Sequence, residues 1–197
     1  MLHRIVAVDP GSEESGFVVY DPDPMFHRPV EHGIVGNYAL AQILRHRGHA
    51  QQYLTDPGAR REFLLIETFR PHGQPMYHQS VATAQWIGVF AEAWGLGSAF
   101  VIDRDEIKLI LLGVRRGSDA NIRAALIDIW GGSRQIAIGK KNAPGPLYGI
   151  SSHCWAALAA AVAADVEPEY VAPFGKASPA QLEREEAKKK KQGGSSS

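Results

Sequence analysis

The chain has 197 residues and is 45% hydrophobic, enough to bury a sizeable core and a length that fits one compact domain. Lysine plus arginine (21) equals aspartate plus glutamate (21), so no global basic excess marks a nucleic-acid partner, and any such footprint must be local. The single cysteine, Cys154, excludes a disulfide framework and a cysteine-cluster zinc site and fits a reducing compartment. The N-terminal residues lack the continuous apolar stretch of a signal peptide, and the longest apolar block, Cys154 to Ala164, is too short for a membrane span. A soluble, cytoplasmic protein without membrane association is expected.

Ile5 to Asp9 is β-branched and apolar, Pro10-Gly11 turns it, and Gly16 to Tyr20 has strand composition, which together predict a hairpin. A proline-rich loop leads to a weaker strand near Val30 to Val35 and a helix from about Asn37 to His49. Glu62 to Glu67 is apolar on both sides and so belongs at the centre of a sheet. Val81, Ala84, Gln85, Gly88 and Ala91 keep helical spacing, and Ala99 to Ile102 forms a fifth, short strand. Helices follow at Glu106 to Leu112, from Ser118-Asp119 to Gly131-Gly132, and from Ser152 to Asp165, leaving the carboxy end helical only. The predicted order β-β-β-α-β-α-β gives an α/β domain over residues 1–170, with a mixed five-stranded sheet flanked by helices. Residues 171–197, with a charge run and a Gly-Ser end, have the composition of a disordered tail.

Charge is unevenly distributed. Residues 1 to 32 carry two basic and six acidic side chains, whereas residues 104 to 141 carry eight basic and four acidic ones. The basic segment is the candidate phosphate footprint, although solvated helix faces have the same composition.

Asp9 ends the first predicted strand and Glu67 ends the fourth. If these strands are neighbours, two carboxylates stand at one edge of the sheet, where α/β folds bind ligands. Burial and mutual repulsion raise their pKa values unless a cation compensates, and a hard divalent ion does so most simply. Such a centre supports phosphodiester hydrolysis. The competing interpretation is a turn-forming aspartate and an arginine-paired glutamate. Asp119 follows Ser118 at a helix start and reads as a capping residue.

Val8-Asp9-Pro10-Gly11-Ser12 with Gly16 downstream, Ile66-Glu67 and the final alanine-rich helix resemble the RuvC Holliday junction resolvases of the RNase H-like superfamily. Gln85-Trp86-Ile87-Gly88, the Asp119 to Asp128 segment and the Gly139 to Ile150 segment are similar to the bacteriophage-encoded branch. The resemblance spans roughly residues 3 to 165. It implies an RNase H-like sheet, a homodimer, binding of four-way DNA junctions, and magnesium- or manganese-dependent nicking. Asp9 and Glu67 match the first two carboxylates of the family. Where the family usually opens its last helix with an aspartate, and cellular members add another three residues later, this chain has His153 and Ala156.

The expected catalytic and metal-binding set is therefore Asp9, Glu67 and His153. Imidazole suits manganese better than magnesium, so manganese is the favoured ion. His153 can also act by orienting water or moving a proton. For DNA the candidates are Lys108, Arg115, Arg116, Arg123, Lys140 and Lys141, together with Arg70 and Tyr77 in the polar, aromatic loop after Glu67. The incomplete carboxylate set leaves open a protein that binds branched DNA without cutting it. A related nuclease acting on flaps or RNA·DNA hybrids is a further alternative.

Overall fold

A computed structural model describes residues 3–25, 27–56, 58–69 and 77–193. Strands β1 (Arg4–Asp9), β2 (Glu14–Asp21) and β3 (Arg28–Gly36) form a meander, and helix α1 (Asn37–Gln52) leads to β4 (Glu62–Thr68). Helix α2 (His78–Trp94) and strand β5 (Ala99–Asp103) follow, then helices α3 (Arg104–Leu112), α4 (Asp119–Ile129) and α5 (Arg134–Ala137). A small hairpin of β6 (Gly139–Lys140) and β7 (Ala143–Pro144) precedes helix α6 (Cys154–Val166), strand β8 (Ala172–Pro173) and helix α7 (Pro179–Gly193).

The main sheet has the order β3-β2-β1-β4-β5-β8. β1 pairs antiparallel with β2 and parallel with β4, and β4 pairs parallel with β5. Strand alternation divides the core into two layers. Ile5, Ala7, Val18, Tyr20, Leu65 and Ile102 face α6, whereas Val6, Val8, Phe17, Val19, Leu64 and Ile66 face α1 and α2. This period of two explains why the central strands read as continuous apolar runs, with both faces covered.

Helix α6 lies across β1 and β2 with α3 and α4 packed on its other side. Ala157, Ala159, Ala160, Ala161 and Ala163 are buried around its circumference. Side chains this small let the helix sit close to the sheet, and a helix apolar all round belongs inside a protein. The described residues contain no helix long and apolar enough to cross a membrane.

The expected mixed α/β sheet is present, with one strand more. The sheet has six strands rather than five, because Ala172–Pro173 adds an antiparallel edge to β5; two residues are too few for a periodic signal, and the 139–144 hairpin escapes notice for the same reason. Within the segment expected to be a tail, the structure places β8 and α7, and Arg184 of α7 bonds Glu106 of α3. Composition marks that segment as unable to form a core of its own, but not as unable to dock on an existing one.

Candidate active site

Val8 and Ile66 are the last paired residues of β1 and β4, so Asp9 and Glu67 come side by side at the carboxyl ends of adjacent parallel strands. They share parity with Ala7 and Leu65, whose side chains face α6, and therefore project toward that helix. His153 immediately precedes α6 in the N-cap position but makes no side-chain capping bond. Its imidazole goes instead to Asp9, with Nδ1 2.7 Å from Oδ2.

Gly16 makes this approach possible. It pairs with Asp9 on β2, and a Cβ at that position would stand 2.5 Å from the His153 carbonyl carbon and 2.6 Å from the His153 Cβ. The helix start is thus seated directly on a strand without a side chain.

On the other side of the pair, Asp103 ends β5 and caps α3 by accepting a hydrogen bond from the Asp105 amide at 2.9 Å. Strand passes into helix with no loop, which puts Arg104 beside Glu67. Arg104 Nη1 donates to Glu67 Oε1 at 2.5 Å and Nη2 donates to Asp119 Oδ1 at 2.6 Å. Asp119 is not the helix cap. Ser118 and Asn121 form a reciprocal capping box, which frees the Asp119 carboxylate to turn toward Arg104.

Glu67 is 6% exposed, and burial together with the Asp9 charge pushes its pKa up to about 7 against the pull of Arg104. Asp9 is raised as well, by burial first, with His153 and Arg104 opposing. Burial alone would loosen the Arg104 proton, but the charges of Glu67, Asp119 and Asp9 hold it more tightly than usual. The centre is therefore a carboxylate pair that needs positive charge and already draws on two side chains for it.

Among the described residues no group of three His, Cys, Asp or Glu side chains is arranged as a ready metal cage. The donors nonetheless suit a divalent ion. Asp9 Oδ1 and Glu67 Oε2 have no hydrogen-bond partner among the described residues, and both carboxylates are destabilised by proximity in a way that a cation relieves. A proton on His153 Nδ1 shared with Asp9 leaves Nε2 as the basic nitrogen, the arrangement by which a carboxylate fixes an imidazole tautomer.

The basic candidates scatter. Lys108 lies half-buried on α3 and Arg116 is exposed in the α3 to α4 connection. Arg115 is engaged by Glu106 at 3.4 Å. Arg123 stacks its guanidinium 4.5 Å over the Trp155 ring, and its Nε and the Trp155 Nε1 are buried without a hydrogen-bond partner among the described residues. Lys140 and Lys141 sit on the small hairpin, whose Pro144 to Pro146 segment packs beside Arg28, Pro29 and Val30. That is roughly 17 Å along β3 from Ile34, the residue in register with Gly16, so the structure does not bring these lysines to the carboxylates. Tyr77 is 73% exposed just before α2, and Arg70 lies outside the described residues.

The sequence marks Arg104 only as one of the basic residues of the 104–141 segment and does not show the orientation of Asp119. The available signal was position, since Arg104 directly follows a strand that ends at the same sheet edge as Asp9 and Glu67.

No protein-family model matches the sequence and no curated protein is significantly similar to it. Among solved structures, Thermus thermophilus RuvC superposes with a TM-score of 0.58 at 16% identity, covering 87% of this chain and 99% of that one. The chain has a RuvC-type fold. T. thermophilus RuvC in complex with Holliday junction substrate gives a TM-score of 0.52 at 18% identity, covering 84% of this chain and 94% of that one. The likeness shows the fold, a mixed sheet flanked by helices of the RNase H-like α/β class expected.

Proposed function

We propose that the protein is a crossover junction endodeoxyribonuclease that cuts four-way branched DNA by metal-assisted phosphodiester hydrolysis in the cytoplasm of a bacterial host. The observation that carries this reading is the juxtaposition of Asp9 and Glu67 at the ends of β1 and β4, with His153 2.7 Å from Asp9. The RuvC fold supports it, and the 85–88, 119–128 and 139–150 motifs support the bacteriophage branch.

Asp9 and Glu67 would hold Mg2+ or Mn2+, with His153 as the third group of the centre. A bound ion supplies acidity to water and neutralises charge on the phosphate. Within the chain, Asp9 fixes the His153 ring, and Nε2 is the site that accepts a proton from the attacking water. Arg104 and Arg123 offer guanidinium groups to phosphate oxygens. Arg116, Lys108 and Tyr77 extend the surface that meets DNA, while Lys140 and Lys141 touch a more distant arm of the junction.

Cutting symmetric strands requires two sites, and we infer a homodimer. Helix α2 exposes Val81 and Val89, and Gly88 has open space where a Cβ would stand, which suits close contact with a second copy.

The test is nicking of a synthetic four-way junction in Mg2+ and in Mn2+. Cleavage abolished by Asp9→Asn and by Glu67→Gln supports the reading, and flap or RNA·DNA competitors cut in preference would redirect it. One observation favours a second reading, a binder of branched DNA that does not cut: the first turn of α6 carries no acidic residue. Tight junction binding with no product in either metal would establish that reading instead.

A further inference from the structure

Arg104 occupies Oε1 of Glu67, the carboxylate that the proposed ion would share. Its two terminal nitrogens are divided between a buried carboxylate, Glu67, and an exposed one, since Asp119 has a side chain 79% open to solvent. A small cavity of about 60 Å³ adjoins this fork, lined by Glu67, Arg104, Asp119, Trp155 and Ala156. The guanidinium thus has a strong partner inside, a second partner outside, and room beside it. An arginine held only for stability would gain little from an exposed second carboxylate, because water and salt screen such pairs.

We infer that Arg104 is a positioning residue that serves as the resident counter-cation of Glu67, yields that carboxylate to the divalent ion, and is retained by Asp119 at the mouth of the site for a DNA phosphate. This rests on the nuclease reading and deepens it. Before the ion binds, the guanidinium keeps the strand-end pair from being an uncompensated buried charge. When a divalent ion takes Glu67, two cations cannot share one buried carboxylate without repulsion, and Asp119 gives the arginine a place to remain. A phosphate then completes its hydrogen bonding with the bidentate geometry that suits guanidinium. Metal and DNA affinities are thereby coupled, and by linkage each strengthens the other equally.

The experiment measures Mn2+ binding to the full chain by calorimetry at pH 8.5, without DNA and with a saturating junction in which the scissile linkages are phosphorothioates. In Arg104→Gln, Mn2+ binds about tenfold more tightly without DNA, the worth of one charge-assisted bond to a buried carboxylate, and the gain on adding DNA shrinks. In Asp119→Asn, an exposed change outside the core, Mn2+ binds more weakly without DNA because the arginine has only Glu67 to hold. Lys176→Gln removes an equal charge from the neighbouring cavity lined by Thr68 and Asp103 and leaves Mn2+ affinity within about twofold, as expected for a screened, non-contacting charge. If Arg104→Gln and Lys176→Gln shift the affinity equally, only general electrostatics is at work and the inference fails. If the native chain binds no Mn2+ while still binding the junction, the metal-centre reading itself fails.

Discussion

At the scale of single residues, the centre consists of groups that are each unfavourable alone. Glu67 has a folded pKa near 7, above its ordinary value of 4.5, so the folded state binds more protons than the unfolded one between those limits. Stability from this group is fully present below pH 4.5 and is lost as pH rises through about 7. In chelator-treated protein, urea melts should show about 3 kcal/mol less from this group at pH 8 than at pH 4.5, and Glu67→Gln should flatten that part of the profile. A Glu67→Gln profile parallel to the native one would show the raised affinity to be absent. Gly16→Ala forces a methyl group against the His153 backbone. The expected cost is about 1 to 3 kcal/mol, and junction nicking should fall further than the stability loss explains, because His153 is displaced from Asp9. His153→Asp places a carboxylate at the head of α6 and should shift the proposed Mn2+ preference toward Mg2+, read from nicking rates in each metal; equal rates in the native protein would refute that preference.

At the scale of elements, helix α7 is tied to the rest of the chain by an ion pair. Helix α7 buries little of itself, yet Arg184 reaches Glu106, which is 0% exposed and also faces Arg115. Burial alone would raise the Glu106 pKa, but Arg184 and Arg115 outweigh it and hold the carboxyl below its usual range. This contribution is present above the unfolded pKa and disappears as pH falls through the folded value. Arg184→Ala should therefore destabilise the protein by about 1 to 3 kcal/mol near neutral pH, with a smaller penalty at pH 3; no change at pH 7 would mean that α7 contributes nothing through this contact. The first three strands, β4, β5 and the principal helices were legible because alternation and helical spacing extend over enough residues to be read. The strand-end positions of Asp9 and Glu67 followed from the same patterns. What stayed hidden depended on contact at a distance: the pairing of Asp119 with Arg104, the seat of His153 on Gly16, and a two-residue edge strand that exists only because β5 is already there.

At the scale of the whole molecule, the RuvC-type arrangement places the carboxylate pair at one end of the sheet and the 139–144 hairpin toward the other end of β3. Basic residues close in sequence thus serve different parts of the surface, a division that linear charge counting cannot reveal. If the outer face of α2 meets a second copy, Gly88→Arg should convert a dimer to a monomer in light scattering while leaving the thermal midpoint of the monomeric fold unchanged, since the position is open in the single chain. A native chain that is monomeric at micromolar concentration would refute the dimer.

The alanine-lined helix also has an evolutionary consequence. The same thirteen residues fill the middle of the protein and hold the imidazole at one end, so selection cannot adjust these roles separately. A larger side chain anywhere along the sheet-facing surface would lift the helix and carry His153 with it, and lineages preserving the activity should therefore vary freely in α7 and the small hairpin while keeping α6 nearly fixed in volume.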